Sequence, residues 1–98
     1  MPYVRLSIAR PRRGDEARLT EIMQQLANEA AAHPGCLQSY VMRPHDQSGE
    51  IARLAIYADE SAAEATAASQ HMLALRSQMH LLSEPGHVER AFFTVEST

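Results

Sequence analysis

The chain has 98 residues, 45% of them hydrophobic, and a formal net charge of −3 at neutral pH. This length allows one domain, residues 1–98, and the apolar fraction is that of a folded protein with a core. The negative balance argues against a nucleic-acid partner, because nucleic-acid binders need a basic face. Apolar runs stay far below the roughly 18 residues that a membrane span requires, and residues 1–5 lack the pattern of a secretion signal. The single cysteine, Cys36, excludes an intrachain disulfide framework and fits a reducing compartment, so we expect a cytoplasmic protein without a membrane partner.

Hydrophobic periodicity predicts four strands and three helices. The strands, whose side chains follow a period of two, are expected at residues 3–10, 36–43, 51–58 and 87–95. The helices, in which apolar residues recur every three or four positions, are expected at about 15–32, 61–68 and 69–82. Asp15, Ser61 and Ser69 are the predicted N-caps, with Glu64 completing a capping box after Ser61. Gly35 is expected to end the first helix by allowing a positive φ.

The order of these elements predicts the fold. A β-α-β-β-α-β sequence is the split βαβ arrangement of ferredoxin-like α+β domains, in which the helices cover only one face of a four-stranded sheet. Both sets of alternating strand residues are largely apolar, so the uncovered face would expose an apolar surface in a monomer. We therefore expect two sheets to pack face to face as a homodimer.

Three segments carry a resemblance to a known family. His33-Pro34-Gly35-Cys36-Leu37 resembles the turn before the second strand of the antibiotic-biosynthesis-monooxygenase-like domain, a member of the dimeric α+β barrel superfamily. The segment from Tyr57 to Ala65 is similar to that family's stretch closing the third strand, and Ser69-Gln70-His71-Met72 is similar to the start of its last helix. The resemblance covers nearly the whole chain in order and spacing. It implies a dimer of ferredoxin-like protomers, forming a dimeric α+β barrel, with a cavity between helices and sheet in each protomer.

The activities implied by the resemblance are those of cofactor-independent oxygenases of quinols and polyketide-type aromatics, haem-degrading oxygenases, and enzymes that isomerise or degrade signal molecules. Where the quinol-oxygenase-like pattern has Trp, His and a second His, this chain has Tyr57, Thr66 and His71, so only the last is retained. Haem degradation is rejected, because the chain contains no Trp and the best match puts Arg76 where that group has its histidine. All nine basic residues are arginine, which also excludes Schiff-base chemistry through lysine.

His71 is the leading catalytic candidate. An imidazole can accept a proton from a phenol or enol near neutral pH, and the resulting carbanion reacts with O2 without a cofactor. Tyr57 and Tyr40 can donate a hydrogen bond to a substrate oxygen, and Met72 and Phe92 can supply apolar pocket walls. The structural alternatives remain open: a histidine packed at a helix N-terminus, tyrosines in the core or interface, and methionines in plain core.

Other candidate chemistry is weaker. Arg53 and Arg90 lie inside strands and need partners if covered, either an ion pair with Glu89 or Glu50, which is the commoner case, or an anionic ligand. Cys36 has no base beside it in the sequence, which disfavours a nucleophilic role. No His-x-x-x-His, Cys-x-x-Cys or glycine-rich phosphate-binding pattern occurs, so we predict neither a metal site nor a cofactor.

Two functional hypotheses follow. In the first, the chain is a monooxygenase that acts without a cofactor on a small phenolic, quinol or polyketide-like aromatic, with His71 as the proton acceptor and Tyr57 orienting the substrate oxygen. In the second, it is a non-catalytic dimer of the same fold that binds a small ligand or serves assembly. Oxygen uptake separates the two, because only the first consumes O2.

Overall fold

The computed structural model describes residues 1–95. In chain order its elements are β1 (Tyr3–Ala9), α1 (Glu16–Ala31), β2 (Cys36–Met42), β3 (Ile51–Tyr57), α2 (Glu60–Ala67), α3 (Gln70–Leu82) and β4 (Val88–Phe93). Every predicted element in this range is present, and the largest difference in length is at β4, which ends at Phe93 rather than at Val95. Residues 96–98 of the predicted domain lie outside the described residues.

The four strands form one antiparallel sheet in the order β2-β3-β1-β4. The first strand is therefore central and pairs with both β3 and β4, as the ferredoxin-like α+β fold requires. The predicted fold class is confirmed.

The two faces of the sheet differ in composition, because successive strand residues point to opposite sides. The covered face, on the helix side, includes Tyr3, Arg5, Ser7, Ala9, Ile51, Arg53, Ala55, Tyr57, Glu89, Ala91 and Phe93. The open face, on the other side, includes Val4, Leu6, Ile8, Gln38, Tyr40, Met42, Ala52, Leu54, Ile56, Val88, Arg90 and Phe92. The open face is thus the more uniformly apolar of the two, whereas most of the charged strand side chains lie on the covered face.

The main core lies between α1, α3 and one end of the covered face. Its members share nearly complete burial and come from the predicted apolar stripes of both helices and the outer ends of β1 and β3: Leu19, Ile22, Met23, Leu26, Ala30, Met72, Leu75, Met79, Ala9 and Ile51. Full burial of the larger apolar side chains contributes about 1.5–3 kcal/mol each. This core fixes the two long helices over the sheet.

The helix caps differ in part from the prediction. Ser69 caps α3 as expected, since its hydroxyl accepts a hydrogen bond from the Met72 amide at 3.2 Å. The cap of α2 is Asp59 rather than Ser61, because the Asp59 carboxylate accepts from the Ala62 amide at 2.8 Å and so begins the helix earlier. Asp15 occupies the N-cap position of α1, but its side chain makes no capping hydrogen bond.

Gly35 is required for space rather than for a positive φ. The glycines with positive φ among residues 1–95 are Gly14, Gly49 and Gly86. A Cβ at Gly35 would lie 2.3 Å from the Cβ of Ala62, far inside van der Waals contact. The turn before β2 therefore packs directly against α2, and this close approach holds the short helix beside Tyr57, the last residue of β3.

Candidate functional site

A small cavity lies between the covered face, α3 and the end of α2, with a volume of about 50 Å³. Its wall contains four arginines, one carboxylate, one tyrosine and a few smaller groups: Arg5, Leu6, Ser7, Arg53, Tyr57, Ala67, Met72, Arg76, Glu89 and Arg90. The register explains the space, since Arg5 has only alanines, Ala55 and Ala91, as its cross-strand neighbours. The polar part of the covered face thus lies where the side chains of the sheet and the helices leave a space between them.

Arg5, Ser7 and Arg53 lie close together in this wall. Ser7 is the register partner of Arg53 on β3 and of Glu89 on β4. Of the four buried side-chain N or O atoms in residues 1–95 that lack a hydrogen-bond partner, three line the cavity, namely Arg5 Nε, Ser7 Oγ and Arg53 Nε. Burying donors without acceptors costs about 1–3 kcal/mol each, and more when the group is charged. An unpaired buried group of this kind therefore calls for an explanation, and a bound ligand is one.

Glu89 is already paired with a different arginine. Both of its carboxylate oxygens accept from Arg76 Nη2 at 3.0 Å. Burial raises the pKa of the Glu89 carboxyl, but the charges and hydrogen bonds of Arg76 and, to a lesser degree, His87 together outweigh burial and leave the pKa below its usual value. The ion pair predicted between Arg53 and Glu89 or Glu50 is therefore absent from the described residues, since Glu50 lies 3.9 Å from Arg10 instead. Arg53 keeps a positive charge that no carboxylate of residues 1–95 pairs.

Arg53 and Tyr57 influence each other's ionisation. Burial lowers the pKa of the Arg53 guanidinium, and the adjacent Tyr57 hydroxyl acts in the opposite direction. Burial raises the pKa of the Tyr57 phenol, while the positive charges of Arg53 and Arg5 oppose that rise. At neutral pH, then, Arg53 is a cation and Tyr57 a neutral phenol able to donate a hydrogen bond.

The structure brings together two of the five site residues predicted from the sequence. Tyr57 and Met72 line the cavity. His71 lies on the outer surface of α3 with its side chain 64% exposed, and its Nδ1 is 3.1 Å from a carboxylate oxygen of Glu29. Tyr40 and Phe92 belong to the open face and are 44% and 40% exposed.

Arg5, Ser7 and Arg76 line the cavity but are not among the site residues predicted from the sequence. Arg5 and Ser7 share one face of the predicted first strand because they are two residues apart, but alternation by itself reports only how apolar a face is. The signal that could have found them is the strand register, which sets Ser7 between Arg53 and Glu89. The strand register could not have predicted Arg76, because this residue lies on α3 and contacts Glu89 of β4 from the helix side.

The fold also assembles three residues with metal-binding side chains. One ligand atom each of His80, His87 and Glu89 lies within 4.8 Å of the others. Helix-internal spacing could not predict this group, because it joins α3 to β4. The Glu89 carboxylate is held by Arg76, however, so a cation would have to compete with a guanidinium for the same oxygens.

A second, larger concavity of about 680 Å³ lies between the β2–β3 turn and the start of α1. Among its lining residues only Ile51 is buried. It is an exposed groove rather than an enclosed site. Cys36, for its part, lies outside both cavities, and burial raises the pKa of its thiol, which favours the less nucleophilic protonated form.

Within residues 1–95, no helix has the length and apolar character needed to cross a bilayer. The fold and the site geometry together define the chain as a ferredoxin-like α+β protein with a polar cavity between helices and sheet. Residues 2–78 match the model of the family described as "Antibiotic biosynthesis monooxygenase". The chain belongs to this family, and the resemblance noted in the sequence is confirmed.

Solved structures share the fold at low sequence identity. Rv0793 from Mycobacterium tuberculosis is 18% identical with a TM-score of 0.90, covering 99% of this chain and 98% of that one. SnoaB, a cofactor-independent oxygenase from Streptomyces nogalater, is 17% identical with a TM-score of 0.84, covering 98% and 95%. PA3566 from Pseudomonas aeruginosa is 17% identical with a TM-score of 0.83, covering 97% and 95%. No curated protein matches this chain.

Proposed function

We propose that the chain is a cofactor-independent monooxygenase whose substrate is a small phenolic or polyketide-like aromatic. The observation that supports this most is a pair of arginines beside the buried Tyr57 side chain: Arg5 and Arg53 have no carboxylate partner among residues 1–95, and the buried Nε atom of each lacks a hydrogen-bond partner. Phenols and enols react with O2 as their anions, and fixed positive charge in a partly buried cavity stabilises an anion more than the same charge does in water. Family membership and the similarity to an oxygenase such as SnoaB are consistent with this chemistry.

The proposed reaction converts an activated CH2 group into a ketone. Ionisation of the phenol or enol gives an anion held by Arg53 and Arg5, with Tyr57 donating to its oxygen. The anion transfers one electron to O2, and the resulting radical pair joins to form a C–O bond. The hydroperoxide, after regaining the proton lost at the start, releases water as its O–O bond and the remaining C–H bond break. One methylene group and one molecule of O2 thus give one carbonyl group and one molecule of water, so the substrate supplies all the electrons that reduce O2.

The role of His71 stays a prediction from the sequence. Its imidazole faces Glu29 on the surface, whereas the arginines line the cavity. If the arginine field ionises the substrate, His71→Ala retains most of the parental rate. If His71 is the base, the variant loses about a hundredfold or more, the usual effect of removing a general base. Oxygen consumption with a panel of anthrones and hydroquinones measures this directly.

Arg53→Gln tests the proposal at the cavity itself. We expect about a hundredfold drop in oxygen uptake, comparable to the loss of one preorganised charge donor. Arg13→Gln, an exposed arginine in the β1–α1 turn, is the matched control and should keep the full rate. Uptake that is absent from the parental protein with every substrate of the panel would contradict the oxygenase assignment.

A non-catalytic ligand-binding dimer is the second candidate, favoured by the size of the cavity. A volume of about 50 Å³ admits one small polar group rather than a whole ring system. In this case members of the panel raise the melting temperature of the protein but cause no oxygen uptake.

We further propose that the functional unit is a homodimer formed through the open face. Apart from Gln38, Tyr40 and Arg90, the members of this face given above are aliphatic, Met or Phe side chains, and Phe92 and Tyr40 are more than a third exposed. A second copy is the partner that buries this surface on both chains at once. Sedimentation of a stable monomer at micromolar concentration would refute the dimer.

A further inference from the structure

Positive charge exceeds negative charge within the cavity. Arg5, Arg53 and Arg76 contribute three guanidinium groups, and Glu89 is the one carboxylate in the wall. Arg76 takes both oxygens of Glu89, which leaves Arg5 and Arg53 without a carboxylate among residues 1–95. Arg90 also borders the cavity, but its guanidinium lies over the Phe92 ring, 5.0 Å from the ring centroid.

Neutral neighbours do not remove this excess. Tyr57 is a neutral phenol, and the Tyr3 ring, whose centroid is 5.6 Å from Arg5 Cζ, offers only its π face. Water can satisfy the donors Arg5 Nε, Arg53 Nε and Ser7 Oγ, yet it carries no charge. An arginine cannot lose its proton at neutral pH, and both side chains are at least half-buried, so an anion is the partner that would neutralise these two charges.

From these contacts we infer that the cavity binds a compact oxyanionic group, a carboxylate or a phosphate, carried by the ligand. Planar guanidinium forks match such oxygens with paired charge-assisted hydrogen bonds, and the Ser7 hydroxyl supplies a further donor. The volume of about 50 Å³ suits a group of this size, while the apolar side chains of Ala67 and Met72 border the same space. The inference deepens the proposed function, on which it rests for the oxygenase chemistry, by making the substrate an acid rather than a neutral phenol. Its acid group and its ionised oxygen then share the two positive charges of Arg5 and Arg53.

Ligand-induced changes in melting temperature provide the test, and they need no turnover. Benzoate is compared with benzamide, its neutral counterpart, and inorganic phosphate is compared with chloride at equal ionic strength. We expect benzoate, phosphate or both to raise the melting temperature in a saturable way, with benzamide and chloride inactive. Benzoate alone identifies a carboxylate site, and phosphate alone identifies a phosphate site.

Variants tie the effect to the cavity. Arg53→Gln should weaken binding of the active anion by about tenfold or more, the loss expected for a charge-assisted contact. Arg5→Gln provides a second variant should the first fail to fold, and Arg13→Gln is the exposed control that should bind as the parent does. Equal responses to benzoate and benzamide, and none to phosphate, would overturn the inference, as would anion binding that survives both cavity variants.

The two proposals fail separately. Anion binding without oxygen uptake on any panel substrate would uphold the oxyanion site and refute the oxygenase. Uptake with neutral anthrones, combined with no response to either anion, would uphold the oxygenase and refute the oxyanion site.

Discussion

The two faces of the sheet reverse the pattern expected of a solitary domain. The covered face carries Arg5, Ser7 and Arg53 beneath helices and Glu89 on its exposed edge strand, whereas the open face has Leu54 and its apolar neighbours on the side that no helix covers. Buried charge destabilises a fold unless it is paired, and exposed apolar surface is unfavourable unless it is covered. In our proposals, each face is therefore completed by something outside the single chain: a ligand on the covered side and a second copy on the open side.

The strongest test of the comparison is a charge on the open face. Leu54 pairs with Leu6 across the two central strands, so Leu54→Asp places two carboxylates in the middle of a symmetric interface. We expect association to be abolished, because each buried, unpaired carboxylate costs on the order of several kcal/mol. Sedimentation equilibrium measures the change. Leu73→Asp is the matched control, since Leu73 is an exposed leucine of α3 and should leave the assembly intact.

Two isoleucines of β3 allow the covered face and the open face to be compared within one strand. Ile51 is 4% exposed in the main core, whereas Ile56 belongs to the open face. Ile51→Ala should lower the free energy of unfolding by about 2–5 kcal/mol at every protein concentration. The cost of Ile56→Ala should instead grow with protein concentration, because the part of the half-buried Ile56 side chain that the single chain leaves exposed would gain contacts only in the dimer. Equal, concentration-independent losses in denaturant titrations would show that the open face stays uncovered.

Much of this architecture could be predicted from the sequence, because it depends on local patterns. Two such patterns predict which side chains are buried from a few neighbouring residues alone. One is the apolar stripe of Leu19, Ile22 and Leu26 in α1, and the other is the alternation in β1. The cavity could not be predicted in the same way, since it depends on which strands are neighbours. Arg5 and Ser7 can be recognised as cavity residues only when it is known that β3 and β4 flank β1. For His71 the resemblance to a motif predicted a position in the chain, but it could not predict the direction of the side chain, which faces Glu29 on the surface.

Arg53→Met tests whether Arg53 lowers the stability of the unliganded protein while enabling the cavity to bind an anion. The substitution removes a buried charge that no carboxylate of residues 1–95 pairs. It should therefore raise the unfolding free energy of the unliganded protein by about 1 kcal/mol, and with it the melting temperature. It should also abolish the response to the anion. Met keeps most of the length of the arginine stem and fills the space. Thermal unfolding with and without the active anion supplies both readouts. A destabilised variant would mean that Arg53 contributes to the fold itself.

The smallest expected effect concerns the paired carboxylate. The pKa of Glu89 is lower in the folded protein than its usual value of 4.5, because Arg76 and His87 together outweigh the opposing effect of burial. Its stabilising contribution is therefore complete above the unfolded-state pKa and is lost as pH falls through the lower folded-state pKa. Since the carboxylate side chain is 40% exposed, solvent limits the pair to less than about 1 kcal/mol. Glu89→Gln should flatten this part of the stability profile below about pH 4.5 in acid titrations of unfolding. Glu64→Gln, on the exposed side of α2, should leave it unchanged; a slope that persists in Glu89→Gln would assign it to other carboxylates.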